Sequence, residues 1–164
     1  NIDEKLVYME DLEKRKEVYG ICEECNEPGT GKGWCKPCNA KRFEKNFKNW
    51  TSRKEDIDEL IQDSQLNAVH STKCLEWIPY EKFQNITHII DGGFSRIYSA
   101  TWQEGYICYW DIEKHDWNRI PEQVALKVLD ISSENTNFLN EVIIKYKDDF
   151  VFHYLNYFDQ VILF

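Results

Sequence analysis

Four cysteines in two closely spaced pairs, Cys22-Glu23-Glu24-Cys25 and Cys35-Lys36-Pro37-Cys38, form the strongest chemical signal in the chain. Two residues between cysteines let both sulfurs of a tight turn point at one centre, and two such turns provide the four thiolates of a tetrahedral zinc site. Between the pairs, Pro28-Gly29-Thr30-Gly31-Lys32-Gly33 supplies the chain reversal that brings them together, as in a zinc ribbon or knuckle. Asn26 and Asn39 follow the two pairs, and asparagine tolerates the left-handed backbone that such turns often require. A redox C-x-x-C normally occurs once, in a thioredoxin-like context. Zinc held by Cys22, Cys25, Cys35 and Cys38 is therefore preferred over a disulfide or a redox pair. Four protein thiolates leave no open coordination position, which makes such a metal structural rather than catalytic. Cys74 and Cys108 lie outside the pattern and read as ordinary reduced thiols.

A second constellation has the order of a nucleotide site. A loop that covers a triphosphate needs little side chain, so that backbone N–H groups can approach the phosphate oxygens. Gly92 and Gly93 meet that need, with Phe94 at the loop tip and Ile97 placed to lie over a base. Val124-Ala125-Leu126-Lys127 follows on a predicted strand, and Glu141 stands on a predicted helix beside Phe138 and Val142. In that order the lysine pairs with the α and β phosphates and the glutamate holds the lysine.

These motifs carry a family resemblance. Residues from about Trp77 to Phe158 resemble the N-terminal lobe of a eukaryotic-type protein kinase. The preceding stretch, Tyr19-Gly20-Ile21-Cys22 through Trp34-Cys35 and Cys38-Asn39-Ala40-Lys41-Arg42-Phe43, resembles the cysteine-rich leader of the expanded kinase family of arbuscular mycorrhizal fungi. The resemblance implies ATP binding with Mg2+ and phosphoryl transfer to protein Ser or Thr, or Tyr. It implies that Lys127 is the ATP-binding lysine, Glu141 its partner, and Gly92, Gly93, Phe94, Ile97 and Ala125 parts of the nucleotide site. In the family's G-x-G-x-x-G, Ile90 and Ser95 occupy the first and third glycine positions, so weakened nucleotide affinity is expected. After Glu141 the sequence has no H-R-D, D-F-G or A-P-E. Phosphoryl transfer by this chain alone is accordingly expected to be absent, since the base and the magnesium ligands are missing.

The elements that must position these residues follow from period and punctuation. The chain has 164 residues, 42% of them hydrophobic, enough for a packed core. Its formal charge of −9 is uneven: Lys32 to Lys54 holds eight basic residues and Glu44 alone as an acid, a local +7, so the remainder carries −16. An acidic body with one basic segment argues for two units, a helical module over 1–75 and a second unit over 76–164. Asp3 to Tyr19 reads as a helix stopped by Gly20, and Ala40 to Trp50 as a second, with Phe43, Phe47 and Trp50 on one face. Ser52-Arg53-Lys54-Glu55 resembles a capping box before a third helix that buries Ile57, Leu60, Ile61 and Ala68. His70 to Pro79 reads as a linker. Beyond it the period becomes that of strands, at Asn85 to Ile90, Arg96 to Trp102, Val124 to Leu129 and Phe150 to Phe158, with the helix of Glu141 before the last. Trp102 to Pro121 reads as an aromatic hairpin turning near Lys114-His115, packed on itself or presented to a partner.

The resulting expectation is an α+β chain: a zinc-stapled helical module ahead of an incomplete kinase lobe of antiparallel strands and one helix. The leading function is ATP binding by a protein-kinase relative. The alternatives are a non-catalytic adaptor that binds a protein partner, and a zinc module that binds nucleic acid through Lys41, Arg42, Lys45 and Lys48. The acidic body argues against nucleic acid, and no apolar run is long enough for a membrane span. Without a signal-peptide pattern, a cytoplasmic location is expected.

Overall fold

Asp11 opens the first helix by accepting a hydrogen bond from the Lys14 amide at 2.9 Å, which satisfies one of the free N–H groups of the first turn. In the computed structural model, which describes residues 7–91, 95–129, 154–156 and 161–163, α1 runs Leu12–Tyr19 and stops at Gly20 with φ 74°. The helix expected from Asp3 is thus confined, among the described residues, to its C-terminal half. The second helix, α2, is Lys36–Asn46 and continues as a single 3-10 turn over Phe47–Asn49. It starts inside the second cysteine pair, four positions earlier than the expected Ala40. Pro37 permits this start because a first-turn residue has no intrahelical use for its N–H.

The third helix, α3, is Glu55–Asn67 and buries Ile57 and Ile61. Its expected capping box does not form, for Lys54 occupies the cap without a side-chain bond. Ser52 instead exchanges hydrogen bonds with the Lys54 backbone through its hydroxyl, at 3.0 and 3.1 Å. The Asp58 carboxylate accepts from the Ser52 amide at 2.7 Å. The stretch expected as a linker is built into the interior: Cys74, Leu75 and Ile78 are buried. Leu75 is held on both sides by α3, its amide donating to the Ser64 hydroxyl at 3.0 Å and its carbonyl accepting from the Gln65 amide group at 2.8 Å.

The strands are β1 (Glu76–Trp77), β2 (Phe83–Asp91), β3 (Ser95–Asp111), β4 (Asp116–Leu129), β5 (Tyr154–Asn156) and β6 (Val161–Leu163), in the sheet order β1-β5-β6-β4-β3-β2. The three long strands β2, β3 and β4 form an antiparallel meander, and β6 continues it antiparallel to β4. Among the described residues, only β1 and β5 pair in parallel. The chain is therefore α+β, with the described helices collected before a mainly antiparallel sheet. Strands expected at 96–102 and 124–129 belong to one hairpin that extends to Asp111 and Asp116, and β5 lies within the expected Phe150–Phe158 strand. The helix expected to carry Glu141 lies outside the described residues. Among the described residues, no helix is long and apolar enough to cross a membrane.

Two buried clusters sit along the hairpin. Ile78, Phe83, Ala100, Trp102 and Leu126 pack at its base. Trp34, Phe43, Ala68, Cys74 and Ile107 pack near its tip, with Phe47 and Trp117 against them. A bulge between Trp102 and Tyr106 separates the two. Gly105 sits in that bulge with φ 67°, where an added Cβ would lie 1.7 Å from the Ile120 carbonyl oxygen. Arg119 fastens the bulge by donating to the Gly105 carbonyl at 2.7 Å and pairing with the Glu76 carboxylate.

Candidate metal centre

The first cysteine turn is closed by two backbone bonds of 2.8 Å, Cys22 N–H to Glu27 O and Asn26 N–H to Cys22 O. Asn26 takes the left-handed conformation expected of it, with φ 59°. Its expected counterpart differs: Asn39 is helical and buried in α2, where it accepts from the Arg42 guanidinium at 2.8 Å. The second turn is formed by Gly31, Gly33 and Trp34 leading into α2, with Trp34 N–H donating to Gly31 O at 3.0 Å. Cys35 is the helix cap, and Cys38 stands in the first turn of α2. Arg15 of α1 braces the first turn from behind, donating to the carbonyls of Met9, Pro28 and Gly29 at 2.8, 2.6 and 2.9 Å.

These elements converge the four sulfurs. All four lie within 4.8 Å of one another, with Cys22 to Cys38 at 3.9 Å and Cys25 to Cys35 at 3.6 Å. A tetrahedral ion with bonds of about 2.3 Å to sulfur sets sulfurs about 3.8 Å apart. A disulfide would require about 2.05 Å, and all six cysteines are free thiols. Four cysteines held this close can take a metal ion such as zinc. Their settings are unequal. Burial raises the Cys22 thiol, but backbone N–H groups of Cys25 and Glu24 outweigh it and leave Cys22 lowered overall. Burial pushes Cys38 up to about 11 and Cys35 higher still. A metal therefore has to displace protons from two reluctant thiols, which its charge favours.

Sequence reasoning missed what the metal turns pack against. Trp117, from the hairpin, stacks on Phe43 at 4.9 Å and on Trp34 at 5.8 Å. The Trp34 indole N–H donates to the Ala68 carbonyl at 2.8 Å. Arg42 lies over the Trp110 ring at 4.3 Å and pairs with Glu24. The aromatic hairpin thus packs on the cysteine module, an arrangement for which the sequence carries no local signal. Along α2 and its 3-10 extension, Phe43 is buried and Phe47 and Trp50 are half-buried, while Lys41, Lys45 and Lys48 are exposed. The aromatics thus lie on the more buried side, with a solvated basic back.

The nucleotide-site residues divide. Gly92, Gly93, Phe94 and Glu141 lie outside the described residues. The register pairs Ile97 with Lys127 and Ser99 with Ala125 across β3 and β4. Directly opposed residues share a face, so positions 97, 99, 125 and 127 lie on one face, opposite the buried Ala100 and Leu126. No protein-family model matches this sequence, and neither does any curated protein.

Proposed function

We propose that this chain joins a structural zinc module to the nucleotide-binding lobe of a protein kinase, and that it binds ATP through Lys127, without itself transferring the phosphoryl group. The observation that carries the reading is the order of parts in the meander. The glycine pair falls between the first two long strands, and Lys127 falls on the third, opposite Ile97. A phosphate-covering loop with its lysine on the third strand is the kinase arrangement. Ile97 and Ala125 are only half-buried, which leaves their face of the sheet accessible to a base. The connection from β4 to β5 spans the segment in which Glu141 is expected to hold the lysine. Four thiolates with no open position give the zinc a structural role, and reduced cysteines suit a cytoplasmic location.

The test is thermal unfolding of the metal-loaded chain with and without MgATP. Saturating nucleotide at about a hundred times its dissociation constant should add about 2.7 kcal/mol of stability. Lys127→Met should abolish the gain while leaving the unliganded melting temperature in place. A wild-type chain indifferent to millimolar MgATP, or a variant that responds as wild type does, overturns the nucleotide reading.

A further inference from the structure

We propose that the cleft between the first cysteine turn and the hairpin tip binds a basic side chain, lysine or arginine, presented by a peptide. The cleft has a volume of about 370 Å3, and its walls include Tyr19, Glu23, Trp34, Tyr109, Trp110 and Glu113. Aromatic faces attract cations through their quadrupole, most strongly where the cation is desolvated. The chain already uses this wall in that way, for the Arg42 guanidinium rests over Trp110 at 4.3 Å.

The acids divide into committed and uncommitted ones. Glu24 is paired with Arg42. Asp111 is paired with Lys114 at 3.0 Å and also accepts from the Lys114 amide. The carboxylates of Glu23 and Glu113 have no hydrogen-bond or ion-pair partner among the described residues. Both residues line the cleft, one from the cysteine turn and one from the hairpin tip. Cys22 and Cys35 also line it, and four thiolates around a divalent ion carry a net charge of about −2. Arg42 also lines the cleft but is committed to Glu24, so an anionic ligand would meet an excess of negative charge. An apolar ligand would strip water from two carboxylates without replacing it. A cation on a slender aliphatic stem satisfies the accessible Tyr19 and Tyr109 walls and the two acids together. The inference is independent of nucleotide binding, because the cleft shares no residue with positions 97, 125 and 127.

The experiment titrates the zinc-loaded full chain into a fluorescently labelled heptapeptide, Gly-Lys-Gly-Lys-Gly-Lys-Gly, followed by anisotropy. The arginine and glutamine counterparts of the peptide run in parallel. Saturable binding of the lysine or arginine peptide is expected, weakened about tenfold or more when Glu23→Gln and Glu113→Gln are combined. Glu81→Gln with Glu122→Gln removes the same charge away from the cleft and should leave the affinity unchanged. Metal content is measured for every variant. Glu113→Gln alone lies outside the cysteine turns, so its several-fold loss decides the matter even if Glu23→Gln disturbs the metal. The proposal is overturned if neither basic peptide saturates, if the glutamine peptide binds equally well, or if the distant pair of substitutions weakens binding as much as the cleft pair.

Discussion

Cys38 and Cys22 belong to one cluster yet hold their protons differently, and the difference has a pH signature. In the metal-free protein, burial and the sulfurs of Cys25 and Cys22 outweigh a bond to Cys35 and hold Cys38 up to about 11. Cys35 and the buried Cys74 are raised as well, each chiefly by burial, and Cys22 alone is lowered. The ordinary thiol value is 9.0, so on raising the pH the unfolded chain loses these protons first. Stability from the raised thiols is complete below pH 9 and is lost as pH climbs through their folded values. The metal-free chain should accordingly show a falling urea midpoint from about pH 9 to 11, whereas the zinc-loaded chain, its four cluster thiolates already formed, should keep only the smaller loss that comes from Cys74. Equal alkaline losses in both forms would contradict this account. The cysteine positions were legible in the sequence because a C-x-x-C turn is local. Their unequal proton affinities were not, because burial is set by residues far along the chain.

At the scale of elements, the hairpin of β3 and β4 depends on one backbone conformation. Gly105→Ala would place a methyl group against the Ile120 carbonyl in a left-handed position. The combined cost of left-handed backbone and overpacking is about 2–5 kcal/mol, to be read from denaturant unfolding. An Ala variant within experimental error of wild type would show that the bulge relaxes cheaply. Secondary structure at this scale was largely readable from sequence: Ile57 and Ile61 at helical spacing mark α3, and β-branched runs mark the strands. The misreadings have specific causes. The Ser52 motif has the composition of a cap but folds as a tight turn tied to Asp58. The helix expected from Ala40 begins at Lys36, because Pro37 is tolerated in a first turn, where its missing N–H has no intrahelical partner to serve. Burial of Cys74, Leu75 and Ile78 comes from contacts that no local pattern announces. The Glu76–Arg119 pair, 43 residues apart, is equally invisible in the sequence.

At the scale of the whole molecule, the cysteine module and the hairpin tip share one aromatic cluster. That cluster draws Trp34, Phe43, Ala68 and Cys74 from one side of residue 75, and Ile107 and Trp117 from the other. Charge and composition differ between the two segments, but neither encodes which surfaces meet. The coupling predicts a response at a distance. Chelating the metal frees α2 from its cysteine cap, so amide-exchange protection should fall at residues 106–120 as well as at 20–46. Hairpin protection that survives complete metal removal would show that the tip is held without the module.

The stacked tryptophans of that shared cluster make the joint observable by light. Trp34 and Trp117 lie with ring centres 5.8 Å apart at 23°, and Trp110 meets Trp117 at 5.1 Å and 82°. Indole chromophores this close exchange excitation, and their relative twist fixes the sign and strength of the paired circular-dichroism bands that result. Three of the six tryptophans thus form a built-in spectroscopic gauge, whose signal depends on the hairpin resting against the cysteine turns.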